Sequence, residues 1–253
     1  MGQAQSKNLM QELKLMGMLE NYENTLSVAT MGGVSHIDFL DLLLQSEYDY
    51  RKRKNVDNKI KGSKIPRKSV FEDFDYTANR SITRVQIQNL MTLKWLEQSR
   101  PILLIGQTGV GKSFIAQACA MQACRSGKSA LWLDISALLE AFSLSKTSGT
   151  YIKLRERLSR PDVLVIDDFG IRKLTATEAG DLCELLELRQ DRKSTIITTQ
   201  LPLNHWEEVI GDAVIADAIK DRLKHLALTF TLTGQTYRAI KAKQFEEKGS
   251  NKD

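Results

Sequence analysis

The spacing of apolar residues predicts a helical segment at the N-terminus. Between residues 9 and 26, apolar side chains recur every three or four positions, which is the period of an amphipathic helix. They are Leu9, Leu13, Met16, Leu19 and Tyr22. Ser35 and Asp38 resemble a capping box, and a second apolar stripe follows them toward Tyr50. We therefore expect a small helical module over about the first fifty residues.

The stretch from residue 51 to residue 68 is the most basic part of the chain. It holds a single acid among these lysines and arginines: Arg51, Lys52, Arg53, Lys54, Lys59, Lys61, Lys64, Arg67 and Lys68. Near its end stands Pro66, which disfavours continuation of a helix. We therefore predict a domain boundary near residues 62–70. The predicted domains are a helical domain with a basic linker over residues 1–68 and a second domain over residues 69–253.

Beyond residue 70, short apolar runs alternate with segments of helical periodicity. Helices are predicted near residues 84–98, from 113, up to 158, from 177 to 189, and around 206 and 216–225. The apolar runs have the length of buried strands and lie at residues 102–105, 130–133, 163–166, 195–198 and 228–232. Such alternation indicates a parallel sheet with helices packed on it. The predicted fold class is α/β, with three layers around a central parallel sheet and a small helical domain before it.

Residues 106–113 match the G-x-x-x-x-G-K-[ST] pattern of a phosphate-binding loop, and they lie between a predicted strand and a predicted helix. Glycines let the backbone wrap around phosphates without Cβ clashes, so that amide groups and the helix N-terminus point at the anion. Lys112 would bridge the β- and γ-phosphates, and Ser113 would bind Mg²⁺. The predicted nucleotide contacts are Gly106, Gln107, Thr108, Gly109, Val110, Gly111, Lys112, Ser113 and Phe114. The alternative is a glycine turn followed by a solvated lysine.

A second run supports the nucleotide interpretation. The apolar residues 163–166 end in Asp167 and Asp168, which is typical of a buried parallel strand that carries acids at its carboxyl end. Asp167 would hold the magnesium ion, through water or Ser113, and Asp168 would orient or deprotonate the water that attacks the γ-phosphate. ATP and Mg²⁺ are the predicted ligands. A solvated turn after the strand is the alternative for the two aspartates.

Composition and charge limit the remaining classes. Hydrophobic residues make up 42% of the chain and charged residues 26%, and no apolar stretch reaches the length of about eighteen residues that crosses a membrane. The N-terminus lacks the apolar segment of a secretory signal, and the three cysteines show no metal-ligand spacing. We therefore expect a cytoplasmic protein without a membrane partner. The net charge of +5 favours an anionic partner.

Four further segments support a resemblance to a known family; the paired aspartates in the first are broadly shared, whereas the last two segments are more selective. The four segments are Asp167-Asp168-Phe169-Gly170, the strand from Thr195 to Gln200 with Leu201-Pro202 after it, Ala218-Ile219-Lys220-Asp221-Arg222-Leu223, and Gly234-Gln235-Thr236-Tyr237-Arg238. With them, residues 74–243 resemble the IstB and DnaC branch of AAA+ ATPases, and the N-terminal helices resemble those of IstB proteins. The resemblance implies the P-loop AAA+ form of the α/β fold and a helper ATPase for transposition of an insertion sequence.

The resemblance also implies an oligomer. Arg222 would be an arginine finger that reaches the γ-phosphate held by a neighbouring subunit, where a guanidinium stabilises the charge that develops as the bond breaks. Arg238 would contact the nucleotide in its own subunit. The alternative for Arg222 is an ion pair with Asp217 or Asp221 on a helix surface.

The chain departs from the family pattern at the end of the fourth strand. Related proteins usually carry asparagine after the threonines there, whereas this chain has Gln200 after Thr198 and Thr199. Gln200 can still position a water through its amide, and Thr199 is the substitute candidate. The alternative is a polar residue beside the core without a catalytic role.

Two basic segments are candidates for contact with DNA phosphates. In the first, the predicted contacts are Arg51, Lys52, Arg53, Lys54, Lys59, Lys61 and Lys64. The second holds Lys146 and Lys153, in the helical region that the initiator-like AAA+ branch inserts after its second strand. No motif for base-specific recognition is evident, so we expect DNA shape to be read instead. A solvated helical face with a basic linker is the alternative.

Taken together, these features predict an ATP-dependent protein that forms homo-oligomers on duplex DNA. In this hypothesis the assembly selects or deforms a target and recruits a transposase, and hydrolysis releases it. Two alternatives remain open from the sequence. One is a replicative helicase loader of the DnaC type, and the other is an ATP-dependent DNA scaffold with negligible turnover.

Overall fold

The computed structural model describes residues 2–76, 81–224, 226–234 and 236, and the chain forms two compact units, residues 1–58 and 59–253. The helices are α1 (Gln3–Glu12), α2 (Met16–Gly32), α3 (His36–Gly62), α4 (Arg84–Met91), α5 (Lys94–Glu97), α6 (Lys112–Arg125), α7 (Ile135–Thr147), α8 (Tyr151–Ser159), α9 (Ala176–Arg189), α10 (Trp206–Ile210) and α11 (Ala213–Lys224). The strands are β1 (Ile102–Gly106), β2 (Ala130–Asp134), β3 (Val163–Phe169), β4 (Ser194–Thr199) and β5 (Leu228–Leu232). Among the helices of these described ranges, none combines the length and apolar character that crossing a membrane requires.

The N-terminal unit differs from its sequence prediction at two helix ends. The single helix expected over residues 9–26 is two helices, because Lys14 takes a left-handed conformation with φ of 56° and the Leu15 amide donates back to the Met10 carbonyl. This is a common way for a helix to end. The second helix does not stop toward Tyr50 but continues to Gly62, since lysine and arginine favour helices and no glycine or proline interrupts them earlier.

Glu47 joins α2 to α3 in the N-terminal unit. Its buried carboxylate accepts hydrogen bonds from the backbone amides of Gly17 at 2.7 Å and Met18 at 3.2 Å, in the first turn of α2. Arg51 pairs with the other carboxylate oxygen at 2.6 Å. A Cβ at Gly17 would lie 2.5 Å from the Ser46 carbonyl oxygen, so glycine allows the close approach of the helices. The Glu47 carboxylate on α3 therefore caps the beginning of α2 and holds the two helices together.

The second unit is a parallel five-stranded sheet in the order β2-β3-β4-β1-β5, with helices on both faces. Alternate strand residues enter two separate cores. Leu104 and Val165 pack on one face with α4, α5 and α6, whereas Leu103 and Ile166 pack on the other face with the helices α7 to α11. The inner strands β1 and β3 are buried on both faces over their apolar residues, which is why they read as continuous apolar runs. The predicted α/β fold class is confirmed.

The end of α3 is attached to the edge of this sheet. The amide of Trp132 on the edge strand β2 donates to the carbonyl of Ser63 at 2.7 Å, and Ser63 is fully buried. Ile60 and Ile65 pack against the first core. Residues 59–65, which the sequence assigned to a linker in the N-terminal domain, therefore pack with the second unit.

Arg189, at the end of α9, ties together the beginnings of two strands. The side chain is 1% exposed, and its guanidinium donates hydrogen bonds to four backbone carbonyls and one hydroxyl. The acceptors are the carbonyls of Leu158, Ser159, Pro161 and Ser194 and the hydroxyl of Thr195. Burial lowers the pKa of Arg189 to about 9, with Asp162 opposing the shift, so the guanidinium stays protonated at neutral pH.

Candidate nucleotide site

The loop of residues 106–111 connects β1 to α6 in a shape that only glycine permits at two positions. Gly106 has φ of 155°, and a Cβ there would lie 2.2 Å from the Leu232 carbonyl oxygen at the end of β5. Gly109 has φ of 85°, and a Cβ there would lie 2.9 Å from the Thr236 Cβ. The neighbouring Gln107 and Thr108 are exposed. The loop therefore has a backbone shape that depends on glycine and an exposed surface, which fits a phosphate-binding loop.

Val110 and Phe114 anchor this loop from inside the protein. Val110 is buried in the first core, and the ring of Phe114 packs against that of Phe74 with 6.0 Å between centroids. Of the predicted contacts in the loop, these two side chains serve packing rather than direct phosphate contact.

Lys112 begins α6 and lies within the loop. Its side chain is 5% exposed, and its ammonium donates to the carbonyls of Gly106 at 2.7 Å and Gln107 at 2.9 Å. Burial lowers the pKa of Lys112, whereas the carboxylates of Asp168 and Asp167 act to raise it. The ammonium is therefore buried against two loop carbonyls, and the charges of both aspartates act on it.

The structure brings Ser113 and Asp167 together. The hydroxyl of Ser113 donates to Asp167 Oδ1 at 3.1 Å, and the hydroxyl of Thr198 on β4 donates to the same oxygen. Burial raises the pKa of Asp167, and the neighbouring Asp168 raises it further, while the two hydroxyl groups act in the opposite direction. A carboxylate beside a hydroxyl at the end of a glycine loop supplies the hard oxygen ligands that Mg²⁺ prefers, so these residues fit that ion.

Asp168 lies in an irregular turn of β3. The pairing of β3 with β4 shifts register between Ile166 and Phe169, and Asp168 takes φ of 56°. Its amide donates to the Thr198 hydroxyl at 3.0 Å, while its carboxylate is exposed. Asp168 and Gln200 line one cleft of about 260 Å³, together with residues 169–171 and Leu201. The acid and the amide are therefore near each other.

The two candidates at the end of β4 differ in exposure. Gln200 is exposed toward the cleft, whereas Thr199 is buried and its hydroxyl accepts a hydrogen bond from the Leu201 amide at 3.0 Å. The geometry thus favours Gln200 over Thr199 as the group that meets a water. Sequence reasoning missed Thr198, although a threonine in a continuous buried strand needs a hydrogen-bond partner and so signals one.

Arg222 lies at the other end of the sheet from the loop. It lines a small cavity with Pro101 and Leu226, next to the beginnings of β1 and β5. Its guanidinium donates to the Ala218 carbonyl at 2.7 Å and pairs with Glu187 of α9 at 3.2 Å. The ion pair that the sequence suggested for Arg222 on its own helix is thus made with a different helix. Arg238, the second predicted arginine, lies outside the described residues.

The lysines and arginines predicted to contact DNA fall into paired and exposed groups. Lys146 pairs with Asp181 at 2.7 Å and lies over the Tyr151 ring, and Arg51 pairs with Glu47. The exposed group is Lys52, Arg53, Lys54, Lys61, Lys64 and Lys153, and Lys59 is partly buried. A groove of about 630 Å³ between α7 and α8 is lined by Lys153 and also by Arg157, an exposed cation that the sequence prediction omitted.

The parallel sheet, the glycine loop after β1 and the acid at the end of β3 define a P-loop nucleotide-binding protein of the AAA+ class. A family model described as IstB-like ATP binding protein matches residues 8–245, and the chain belongs to this family. The predicted family resemblance is confirmed. ATP binding is therefore supported by the family as well as by the sequence and shape of the loop.

Similar proteins extend over nearly the whole chain. The protein y4pL of Sinorhizobium fredii, named for an insertion sequence and for ATP binding, is 34% identical over 224 residues, or 88% of this chain and 91% of the relative. An ATP-binding protein named for insertion sequence IS5376 of Geobacillus stearothermophilus is 30% identical over 236 residues, or 93% and 94%. The crystal structure of DnaI has a TM-score of 0.58 at 19% identity, covers 67% of this chain and 93% of its own, and supports the fold.

Proposed function

We propose that this protein hydrolyses ATP and acts as a helper of DNA transposition, forming homo-oligomers on duplex DNA that recruit a transposase in the bacterial cytoplasm. The observation that carries the proposal is the contact of Ser113 and Thr198 with Asp167 beside the glycine loop and Lys112. It joins a phosphate cradle, a metal ligand pair and an acid in one place. Membership of a family whose relatives are named for insertion sequences favours transposition over helicase loading.

The residues of the site have separable roles in this proposal. Lys112 binds oxygens of the β- and γ-phosphates, and the loop amides hold the phosphates in place. Ser113 and Asp167 hold Mg²⁺, which when bound neutralises charge on the phosphates. Asp168 orients the attacking water and accepts its proton, with the amide of Gln200 as a second contact to that water. The exposed carboxylate in the 260 Å³ cleft leaves room for such a water.

The position of Arg222 supports an oligomeric enzyme. Because it lies near the beginnings of the strands, while the loop follows the end of β1, Arg222 cannot serve the nucleotide of its own chain without a large movement. A neighbouring subunit would receive it instead. The pair with Glu187 is partly exposed, since the glutamate side chain is 65% exposed, so it is weak enough to exchange for a phosphate.

In this proposal each unit contacts DNA through its own exposed cations rather than through the paired ones. Residues 52–54 on α3 and the two cations Lys153 and Arg157 beside the α7–α8 groove are available for phosphates. Lys146 and Arg51 are already neutralised by buried carboxylates, so their substitution should affect stability more than DNA binding. These contacts give affinity without sequence preference.

Assembly on DNA tests the proposal directly. In sedimentation with duplex DNA, a non-hydrolysable ATP analogue should produce large complexes that ADP does not produce. If about five phosphates are engaged, the log–log dependence of DNA affinity on salt should have a slope near −4.5, and Lys153→Gln should reduce that slope by about 1. Lys128→Gln, an exposed lysine just after α6, is the matched control and should leave the slope unchanged. A protein that stays monomeric with ATP and DNA contradicts the proposal.

Asp168→Asn should separate ATP binding from hydrolysis. Loss of the carboxylate that accepts a proton should lower the rate of phosphate release about 100-fold, because general bases contribute at least that much. Nucleotide affinity should stay close to wild type, and DNA complexes should live longer. Asp191→Asn is a close control, since Asp191 is also exposed and has φ of 58°, but lies in the turn before β4. Unchanged turnover in Asp168→Asn would remove that residue from the reaction, and absent turnover in the wild type would favour the scaffold alternative.

A further inference from the structure

Thr198 contacts both aspartates of the site through one hydroxyl group. The residue is fully buried on β4, and its Oγ1 donates to Asp167 Oδ1 while accepting the Asp168 amide at 3.0 Å. The hydroxyl has one proton, which goes to the carboxylate, and a lone pair that takes the amide. One hydroxyl group therefore holds two consecutive residues that have different roles in the site.

The Asp168 amide needs this partner because the strand ladder does not supply one. The pairing of β3 with β4 is regular up to Ile166 opposite Ile197 and resumes at Phe169 opposite Thr199. Between these pairs, Asp168 takes φ of 56°, a conformation that L-residues rarely adopt. A hydroxyl from the adjacent strand therefore replaces the backbone acceptor and supports the bulge that turns the Asp168 carboxylate outward.

We infer that Thr198 is a positioning residue for ATP hydrolysis, fixing the metal-binding carboxylate of Asp167 and the water-orienting residue Asp168 in one geometry. The inference rests on the proposed function of the site. The γ-methyl group of threonine contributes because a β-branched side chain in a packed strand has few χ1 alternatives, so the hydroxyl direction is set by packing. Serine would keep the hydrogen bonds with less rigidity, and valine would keep the shape without them.

Thr198→Val and Thr198→Ser test this inference with a readout besides turnover. The first measurement is the affinity for a fluorescent, non-hydrolysable ATP analogue, titrated with Mg²⁺ and with EDTA. Valine should weaken the Mg²⁺-dependent affinity and lower kcat, each by about 10–100-fold, as loss of a group that orients a metal ligand does. Affinity in EDTA should change little by comparison. Serine should restore most of both losses.

The control is Thr195→Val, the same substitution of a buried threonine on the same strand. The hydroxyl of Thr195 accepts a hydrogen bond from Arg189. The residue lies near the beginning of β4, whereas the aspartates are near its end. Thr195→Val should lower the thermal midpoint but leave the Mg²⁺-dependent affinity intact. Should Thr198→Val fail to fold in a thermal scan, Thr198→Ala makes the same comparison.

The outcomes distinguish this inference from the proposed function. A wild-type protein that hydrolyses ATP, with Thr198→Val equal to it in kcat and in Mg²⁺-dependent affinity, overturns the role of Thr198 and leaves the ATPase proposal standing. A wild-type protein without turnover, in which Thr198→Val still loses Mg²⁺-dependent affinity, supports the positioning of Asp167 and overturns the hydrolysis proposal.

Discussion

Lys112→Ala is expected to weaken ATP binding about 1,000-fold and to abolish ATP-dependent assembly on DNA. The ammonium should make two charge-assisted hydrogen bonds to phosphate oxygens, and their loss costs about 4 kcal/mol in total, or roughly three factors of ten in affinity. The effect is large because Lys112 is 5% exposed, so water cannot easily replace the ammonium. The measurement is a direct titration with labelled ATP, followed by sedimentation with DNA.

The control for Lys112→Ala is Lys128→Ala, which removes an exposed lysine beyond the other end of α6. It should bind ATP as the wild type does. Normal ATP affinity in Lys112→Ala would contradict the role of the loop. Thermal midpoints of both variants in the absence of nucleotide show whether the loop carbonyls of Gly106 and Gln107 tolerate the loss of their donor.

Mixing Lys112→Ala subunits with Arg222→Ala subunits tests the subunit interface. Arg222→Ala subunits bind ATP but should not complete a neighbour's site, whereas Lys112→Ala subunits lack ATP but retain Arg222. A mixture should therefore recover part of the hydrolysis that each variant alone lacks. If no mixing ratio restores hydrolysis, the pairing of Arg222 with Glu187 in its own chain would be the whole role of Arg222.

Arg189→Met is expected to lower the free energy of unfolding of the second unit by about 3–5 kcal/mol, which is the range for removing one partner of a buried charged network. Methionine fills much of the same volume but cannot donate. The carbonyls of Leu158, Pro161 and Ser194 would lose buried hydrogen-bond donors, which costs more than the bonds themselves contribute. Urea titration gives the free energy.

Tryptophan fluorescence makes this measurement specific to one unit. The three tryptophans, Trp95, Trp132 and Trp206, all lie in residues 59–253, so their signal reports that unit alone. Arg192→Met is the control, because Arg192 is three residues further along and exposed. A loss below about 1 kcal/mol, within the range of ordinary surface substitutions, would show that the carbonyls find other donors.

The helix boundaries show where sequence periodicity stops being informative. The apolar period continues across residues 13–15, so it predicts one helix where Lys14 ends the first and a second begins at Met16. The basic composition after Tyr50 suggested a linker, but charged side chains are compatible with a helix that has no apolar stripe. The contact of Ser63 with the sheet edge and the packing of Ile60 show which unit the end of that helix joins.

The sequence by itself determined the succession of strands along the second unit, the glycine loop and the acids at the end of β3. Each of these is a local pattern: strand runs and helix caps depend on neighbours within a few residues, and the loop requires glycine at fixed spacing. These local patterns are therefore sufficient to identify the class of protein.

Tertiary structure alone decided which side chains meet. Thr198 and Asp167 are 31 residues apart, and Arg222 and Glu187 are 35 apart, so no short-range pattern connects them. The assignments of Lys146 and Arg51 changed for a related reason, since a lysine in the sequence does not reveal whether a carboxylate neutralises it. Parallel strands bring distant residues to one sheet edge, and the pairing follows from strand order and register rather than from composition.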